Sequence, residues 1–71
     1  MDRLTINSSM ITSIGYDSEN GTLEIEFKNG GQVWDYFDFP EHMWNEFQTC
    51  ESQGKYWHAN IKNRFREARV G

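Results

Sequence analysis

The sequence predicts an α+β domain in which a small antiparallel sheet is followed by two helices. Two Asn-Gly pairs, Asn20-Gly21 and Asn29-Gly30, are typical of tight β-hairpin turns. They separate three strand-like segments, residues 10–16, 22–28 and 31–37. Pro40 then begins a stretch in which apolar residues recur at helical spacing. The expected fold is therefore a three-stranded meander with both helices packed on one face of the sheet.

The middle strand segment has the clearest pattern. Leu23, Ile25 and Phe27 alternate with Glu24 and Glu26, so the apolar side chains should face the core and the glutamates should face water. A short edge piece at residues 5–7 would add a fourth strand to the sheet.

Two helices are predicted after Pro40. Asp38 and Glu41 have the spacing of a capping pair, and Gly54 is a suitable residue to end the first helix. The second helix is expected over residues 55–66. Its apolar stripe comprises Trp57, Ile61, Phe65 and Ala68.

The length of the second hairpin loop decides which way Trp34 and Tyr36 point. A two-residue loop places Trp34 opposite Ile25 and Tyr36 opposite Leu23, on the core face. A three-residue loop turns both aromatic rings to the other face, where they could stack on bases. We expect the core arrangement. Burying a large aromatic side chain gains roughly 1.5–3 kcal/mol, and the like-charge pair it creates between Glu24 and Asp35 costs only about 0.2–1 kcal/mol.

Composition limits the class of protein. The 71 residues have room for one domain, whose first seven and last five residues (1–7 and 67–71) we expect to be loosely ordered. Aromatic residues make up 15% of the chain, which argues against disorder. Cys50 is the only cysteine, and no apolar run has the length of a membrane span or a signal peptide. A cytoplasmic protein without membrane contact is expected.

The net charge of −4 is the sum of an acidic N-terminal part and a basic C-terminal part. Residues 1–51 carry ten acids and two bases, whereas residues 52–71 carry five bases and one acid. On a continuous second helix, a basic ridge would lie within about 80° of arc. Its members are Lys55, His58, Lys62, Arg66 and Arg69, with Arg64 on the far flank of the apolar stripe. Such a ridge is suited to phosphate. Two alternatives remain open: the acidic part neutralises the ridge, or the helix ends near Asn63.

Catalytic and metal sites are poorly supported. Cys50 is expected on the apolar face of the first helix, where its thiol would be unreactive. His42 and Glu46 are one helical turn apart, but two ligands do not make a metal site. We therefore expect no enzyme activity and no cofactor.

The ordered set of motifs resembles the KTSC domain, a small module of some lysyl-tRNA synthetases and of stand-alone proteins. The similar segments run from Ser8-Ser9 through Ile14-Gly15-Tyr16-Asp17 and Asn29-Gly30 to Trp34-Asp35-Tyr36, Phe39-Pro40, Ser52-Gln53-Gly54-Lys55-Tyr56-Trp57-His58 and Arg64-Phe65. They cover residues 8–65. This sequence departs from the family's pattern in three places: Trp34 replaces the first tyrosine of a Tyr-x-Tyr motif, the pair Trp57-His58 replaces Phe-Asn, and Cys50 replaces an alanine.

The resemblance implies a bacterial or phage-encoded domain of no established activity, for which RNA binding has been suggested. The hypothesis from the sequence is thus a non-enzymatic module that binds nucleic acid, RNA rather than DNA, tRNA-like or single-stranded. Phosphate contacts would come from Lys55, Lys62, Arg64, Arg66 and Arg69, and stacking from Tyr56, Trp57 and His58. The alternative is a protein-interaction or self-association module that uses the acidic sheet face or the basic helix.

Overall fold

A five-stranded antiparallel sheet with helices on one face is the architecture of this chain, and the computed structural model describes all 71 residues. The strands lie side by side in chain order: β1 (Leu4–Thr5), β2 (Ile11–Asp17), β3 (Thr22–Phe27), β4 (Val33–Tyr36) and β5 (Glu67–Arg69). Helix α1 (Glu41–Thr49), helix α2 (Gln53–Tyr56) and a π-helical turn (Trp57–Ile61) connect β4 to β5. The α+β class is confirmed, with more strands than the three or four expected.

Eight buried side chains form the core between the sheet and the helices. The alternation predicted for the middle strand places Leu23 and Ile25 on this face, and both are fully buried. Phe47 of α1 and Ile61 of the π-helical turn cover them from the helical side. The complete set is Ile11, Ile14, Leu23, Ile25, Tyr36, Phe39, Phe47 and Ile61.

The hairpin between β3 and β4 has the register expected for the core arrangement. Trp34 pairs with Ile25 and Tyr36 with Leu23, and Glu24 lies opposite Asp35. The loops themselves differ from the expected two-residue type I′ turns. Each hairpin loop has four residues, 18–21 and 28–31, and the positive φ angles belong to Gly21, Gly30 and Gly31 instead of the asparagines. The loop 28–31 is centred on Asn29-Gly30, so β3 and β4 have the register that a two-residue loop at these residues would give.

Both expectations about the ends of the first helix are wrong. The N-cap is Pro40, without a side-chain hydrogen bond, and Asp38 adopts a left-handed backbone conformation (φ 56°) two residues before it. Gly54 does not end a helix but lies within α2. The hydroxyl of Ser52 begins α2 by accepting a hydrogen bond from the Lys55 backbone N–H at 3.2 Å.

The second helical segment ends at Ile61, well before the expected Arg66. Asn63 takes a left-handed conformation (φ 61°), which asparagine tolerates better than most residues and which stops a helix. Phe65 then packs edge-on against Phe39 with ring centroids 5.1 Å apart. This contact returns the chain to the sheet, where β5 completes the open edge of β4 through the pair Ala68–Asp35. Residues 4–5 and 67–69, within ends expected to be loosely ordered, are the two edge strands.

Candidate ligand-binding groove

An open groove of about 530 Å³ lies at one end of the core face. Its walls come from the β3–β4 hairpin, the segment before β2, the first residue of the π-helical turn, the two residues that follow this turn and the first residue of β5. The lining residues are Ser9, Met10, Phe27, Lys28, Asn29, Gln32, Trp34, Tyr36, Trp57, Lys62, Asn63 and Glu67. Regions distant in sequence therefore build one site.

Aromatic side chains form the apolar part of the groove. Trp34 is half-buried, and its Nε1 donates a hydrogen bond to the side-chain Oε1 of Gln32 at 3.0 Å. Trp57 meets the ring of Phe27 edge-on, with centroids 5.2 Å apart. The two indoles are thus held in place by the protein while part of their surface remains open to a ligand.

The hydroxyl of the buried Tyr36 forms a hydrogen bond with a groove residue. It accepts a hydrogen bond from Nε1 of Trp57 at 3.1 Å. Burial raises the pKa of Tyr36, the Trp57 hydrogen bond opposes this shift, and the charge of Glu67 adds to it. Glu67 lies opposite Tyr36 in the pairing of β4 and β5, so the two side chains leave the sheet on the same face.

Three charged residues line the groove, and none of them forms an ion pair. The ion pairs of the molecule involve only Arg3 and Arg66 as cations, which leaves Lys28, Lys62 and Glu67 without charged partners. The ammonium of Lys62 lies 5.6 Å from the centroid of the Trp57 ring, within cation–π range. A ligand in the groove would therefore meet aromatic surface next to free positive charge.

The residues proposed from the sequence do not form one ridge, because the helix ends before most of the cations. Trp57 and Lys62 line the groove, and His58 lies edge-on to Trp57 at 6.4 Å. Lys55 is exposed on α2, outside the groove. Tyr56 is packed between helices: its ring stacks on Phe47 at 5.3 Å, and its hydroxyl donates to Glu46 Oε1 at 2.7 Å.

The three arginines take separate positions beyond the helix. Arg64 turns back to donate from Nε to the carbonyl of Ala59 at 3.1 Å. Arg66 lies over the ring of Phe37 at 5.0 Å. Arg69 of β5 pairs with Trp34, so its side chain leaves the sheet on the groove side.

Six polar lining residues were not predicted from the sequence as site residues: Ser9, Lys28, Asn29, Gln32, Asn63 and Glu67. A signal was available for the hairpin residues, since the expected register already placed the β3–β4 loop near Trp34. No signal was available for Glu67, because its segment was assigned to the end of the chain and not to a strand.

The opposite face of the sheet is acidic and partly covered. Arg3 pairs with Glu24 at 2.8 Å and approaches Glu26 at 3.8 Å. Burial, followed by a hydrogen bond and charge repulsion from Glu24, raises the pKa of Asp35 to about 6. Oδ1 of Asp35 is buried without a hydrogen-bond partner. This face therefore holds two carboxyl groups that repel each other, one of which is paired with Arg3.

The thiol of Cys50 lies in surroundings that lower its reactivity. Burial raises the pKa of the Cys50 thiol, which donates to the carbonyl of Phe47 at 3.2 Å. A raised pKa lowers the thiolate fraction and hence the reactivity. No group of three or more potential metal ligands occurs in the structure. No helix has the length and apolar character needed to cross a membrane.

Comparison with known families shows where this architecture belongs. The family model described as "KTSC domain" matches residues 7–65, which is most of the chain. The chain belongs to the KTSC domain family. No catalytic activity is established for this family. A crystal structure of a KTSC domain protein from Yersinia pestis superimposes with a TM-score of 0.94 at 36% identity, covering 99% of this chain and 97% of that one.

KTSC relatives occur both within large proteins and as small ones. A lysine–tRNA ligase of Trichormus variabilis is 36% identical over 58 residues, which are 82% of this chain and 10% of the ligase. A protein of Tsukamurella paurometabola is 31% identical over 61 residues, covering 86% of this chain and 90% of that protein. This chain thus spans about a tenth of the length of the ligase.

The KTSC motifs have clear positions in the fold. The central motif is β4, in which Trp34 faces the groove, Tyr36 faces the core and Asp35 faces the acidic side. The Ser-x-Gly motif is the start of α2, where Ser52 supplies the cap and the chain continues to Trp57. Two motifs that are far apart in sequence therefore meet at the hydrogen bond between Trp57 and Tyr36.

Proposed function

We propose that this KTSC domain binds single-stranded RNA in the groove, with bases stacking on Trp34 and Trp57 and phosphates contacting Lys28 and Lys62. The observation that carries the proposal is the combination of open indole surface and unpaired ammonium groups in one groove. Proteins that bind single strands combine these two features, because every base has a face that can stack and every nucleotide has a charge.

The charge distribution supports the same surface. The acidic part of the chain leaves most of the C-terminal cations free. Of the five basic residues in positions 52–71, only Arg66 approaches a carboxylate, that of Asp38 at 4.0 Å, and both of these side chains are largely exposed. Lys55, His58, Arg64, Arg66 and Arg69 lie outside the groove lining, where they would add only secondary phosphate contacts. Tyr56 would act by holding the helical segment that leads to Trp57.

RNA is favoured over DNA because proteins named lysine–tRNA ligases carry a homologous segment. The net charge of −4 opposes any polyanion, so the affinity should be modest and sensitive to salt. Two phosphate contacts on a single strand predict a slope of about −1.4 for log K against log salt concentration.

Fluorescence anisotropy with a labelled uridine hexamer, measured between 50 and 200 mM salt, tests the proposal. We expect Lys62→Glu and Lys28→Glu each to abolish measurable binding. Lys55→Glu makes the same charge change on α2, outside the groove, and should weaken binding much less. If Lys55→Glu is as damaging as Lys62→Glu, the helix surface binds RNA and the groove does not.

The alternative, a protein-interaction module that uses the acidic sheet face, is less well supported. Arg3 already pairs with Glu24 and Glu26 on that face. Sedimentation analysis from 10 to 500 μM distinguishes the two: a rise in mass with concentration, together with no RNA binding, would favour self-association.

A further inference from the structure

We infer that the groove prefers guanine over the other bases, because the carboxylate of Glu67 is placed to accept hydrogen bonds from the edge of a stacked base. This inference rests on the proposed function and names the base that the same groove would select.

The position of Glu67 is set by the pairing of the last two strands. Glu67 is the first residue of β5 and lies opposite Tyr36 of β4. Residues in such a pair point to the same side of the sheet, so Glu67 shares the groove face with Tyr36 and with Trp34 two residues earlier. Its effect on the pKa of Tyr36 is consistent with a carboxylate near the hydroxyl that binds Trp57.

Glu67 has no partner within the protein. It takes part in none of the ion pairs, and its side chain makes no hydrogen bond, although Lys28 and Lys62 line the same groove. By contrast, Gln32 already uses its side-chain oxygen on Trp34. Glu67 therefore provides both carboxylate oxygens as free acceptors beside the indole surface.

The chemistry of a carboxylate selects among the bases. An ionised carboxylate only accepts hydrogen bonds. Guanine offers two adjacent donors, N1–H and the N2 amino group, on its Watson–Crick edge. Adenine, cytosine and uracil each place an acceptor beside their donor on that edge, so one carboxylate oxygen would face a lone pair. Single-stranded RNA readers recognise bases through this edge while the ring stacks.

The presence of Glu67 argues against a groove that binds only phosphate groups. A carboxylate repels phosphate groups, so it weakens a purely electrostatic site. Contact with the donor edge of a base turns the same charge into a favourable interaction, since hydrogen bonds that involve an ionised group are about twice as strong as neutral ones.

Uridine hexamers with a single central guanosine, adenosine, cytidine or inosine provide the test. Guanosine should raise the affinity of the wild-type protein about tenfold over the plain hexamer, the size of discrimination that a good bidentate contact gives. Inosine lacks the N2 amino group and should fall between guanosine and adenosine. Glu67→Gln should reduce the guanosine preference, taken as the ratio of the two affinities within that variant, to less than twofold.

Glu19→Gln is the matched control, because this substitution makes the same change in charge at an exposed residue of the β2–β3 loop. It should retain the guanosine preference. Binding of all hexamers with equal affinity would overturn the inference and leave the proposed function standing. A guanosine preference that survives in Glu67→Gln would also overturn it. Failure of every hexamer to bind would reject the proposed function together with this inference.

Discussion

The carboxyl pair of Asp35 and Glu24 destabilises this small domain at neutral pH. These side chains lie directly opposite each other on neighbouring strands, on the face away from the core. Arg3 neutralises part of the charge by contacting Glu24. The pKa of Asp35 is raised to about 6, because the carboxyl group is partly buried, with one oxygen that has no hydrogen-bond partner, and because it lies beside Glu24.

This pair predicts an unusual dependence of stability on pH. The folded pKa of Asp35 lies above its ordinary value of 3.8, so the folded state binds the proton more tightly than the unfolded state. The contribution of Asp35 is therefore most favourable below pH 3.8 and is lost as the pH rises through 6. Asp35→Asn should thus stabilise the protein at pH 8, by about 1 kcal/mol after allowance for solvent screening, and should have little effect at pH 4.

Thermal unfolding followed by circular dichroism at pH 4, 6 and 8 measures this difference. About 1 kcal/mol corresponds to a rise in Tm of roughly 4–8 °C for a domain of this size. Glu51→Gln, at an exposed position, is the control and should show no such dependence on pH. A destabilised Asp35→Asn protein at pH 8 would contradict this description of the pair.

The hydrogen bond between Trp57 and Tyr36 gives a second prediction for single residues. Tyr36→Phe keeps the buried ring but removes the hydroxyl that accepts from Trp57 Nε1. The indole N–H then loses its partner in a half-buried position, which costs about 1 kcal/mol. Chemical denaturation measures this loss, and the Trp57 indole resonance should shift, while that of Trp44, which stacks on Tyr16, should not.

At the level of elements, the position where the second helix stops decides whether the groove exists. A helix continuing to Arg66 would move Glu67 away from β4 and leave the edge of that strand unpaired. Instead, Asn63 takes a left-handed conformation, and Phe65 contacts Phe39. Because of this stop, Lys62 and Glu67, five residues apart in sequence, line the same groove.

Substitutions at Asn63 test this stop directly. Glycine adopts a positive φ without strain. The free energy of unfolding of Asn63→Gly should therefore lie within about 0.5 kcal/mol of the wild-type value. A β-branched residue is sterically disfavoured at a positive φ. Asn63→Val should therefore be about 1–2 kcal/mol less stable than the wild type in urea unfolding. Equal stability of the two variants would show that Asn63 does not hold the left-handed conformation in solution.

Strand β5 also shows the limit of sequence reasoning about elements. The register of β3 and β4 was predictable, because Leu23 and Ile25 must face the core and a slip of one residue would expose them. The three residues of β5 carry no such pattern, since only Ala68 is even partly buried. Its strand structure comes from the unpaired edge of β4, a tertiary partner that local spacing does not reveal.

For the whole molecule, the two faces of the sheet differ in charge. Arg3 and the glutamates of β3 meet on one face of the sheet, whereas the groove on the other side carries two free lysines. Trp57 and Lys62 of the groove were named from the sequence. Lys28 and Glu67 were not, because they join the site only through the pairing of β3, β4 and β5.

RNA binding in the groove is best tested by an NMR titration of the three indole N–H signals with a uridine hexamer at 50 and 200 mM salt. The Trp34 and Trp57 signals should move, and these shifts should fade at the higher salt concentration. The Trp44 signal should stay in place, because this residue lies outside the groove and stacks on Tyr16 at 5.5 Å. An unchanged Trp34 signal while amides of α2 shift, or no change at 50 mM salt, would contradict RNA binding in the groove.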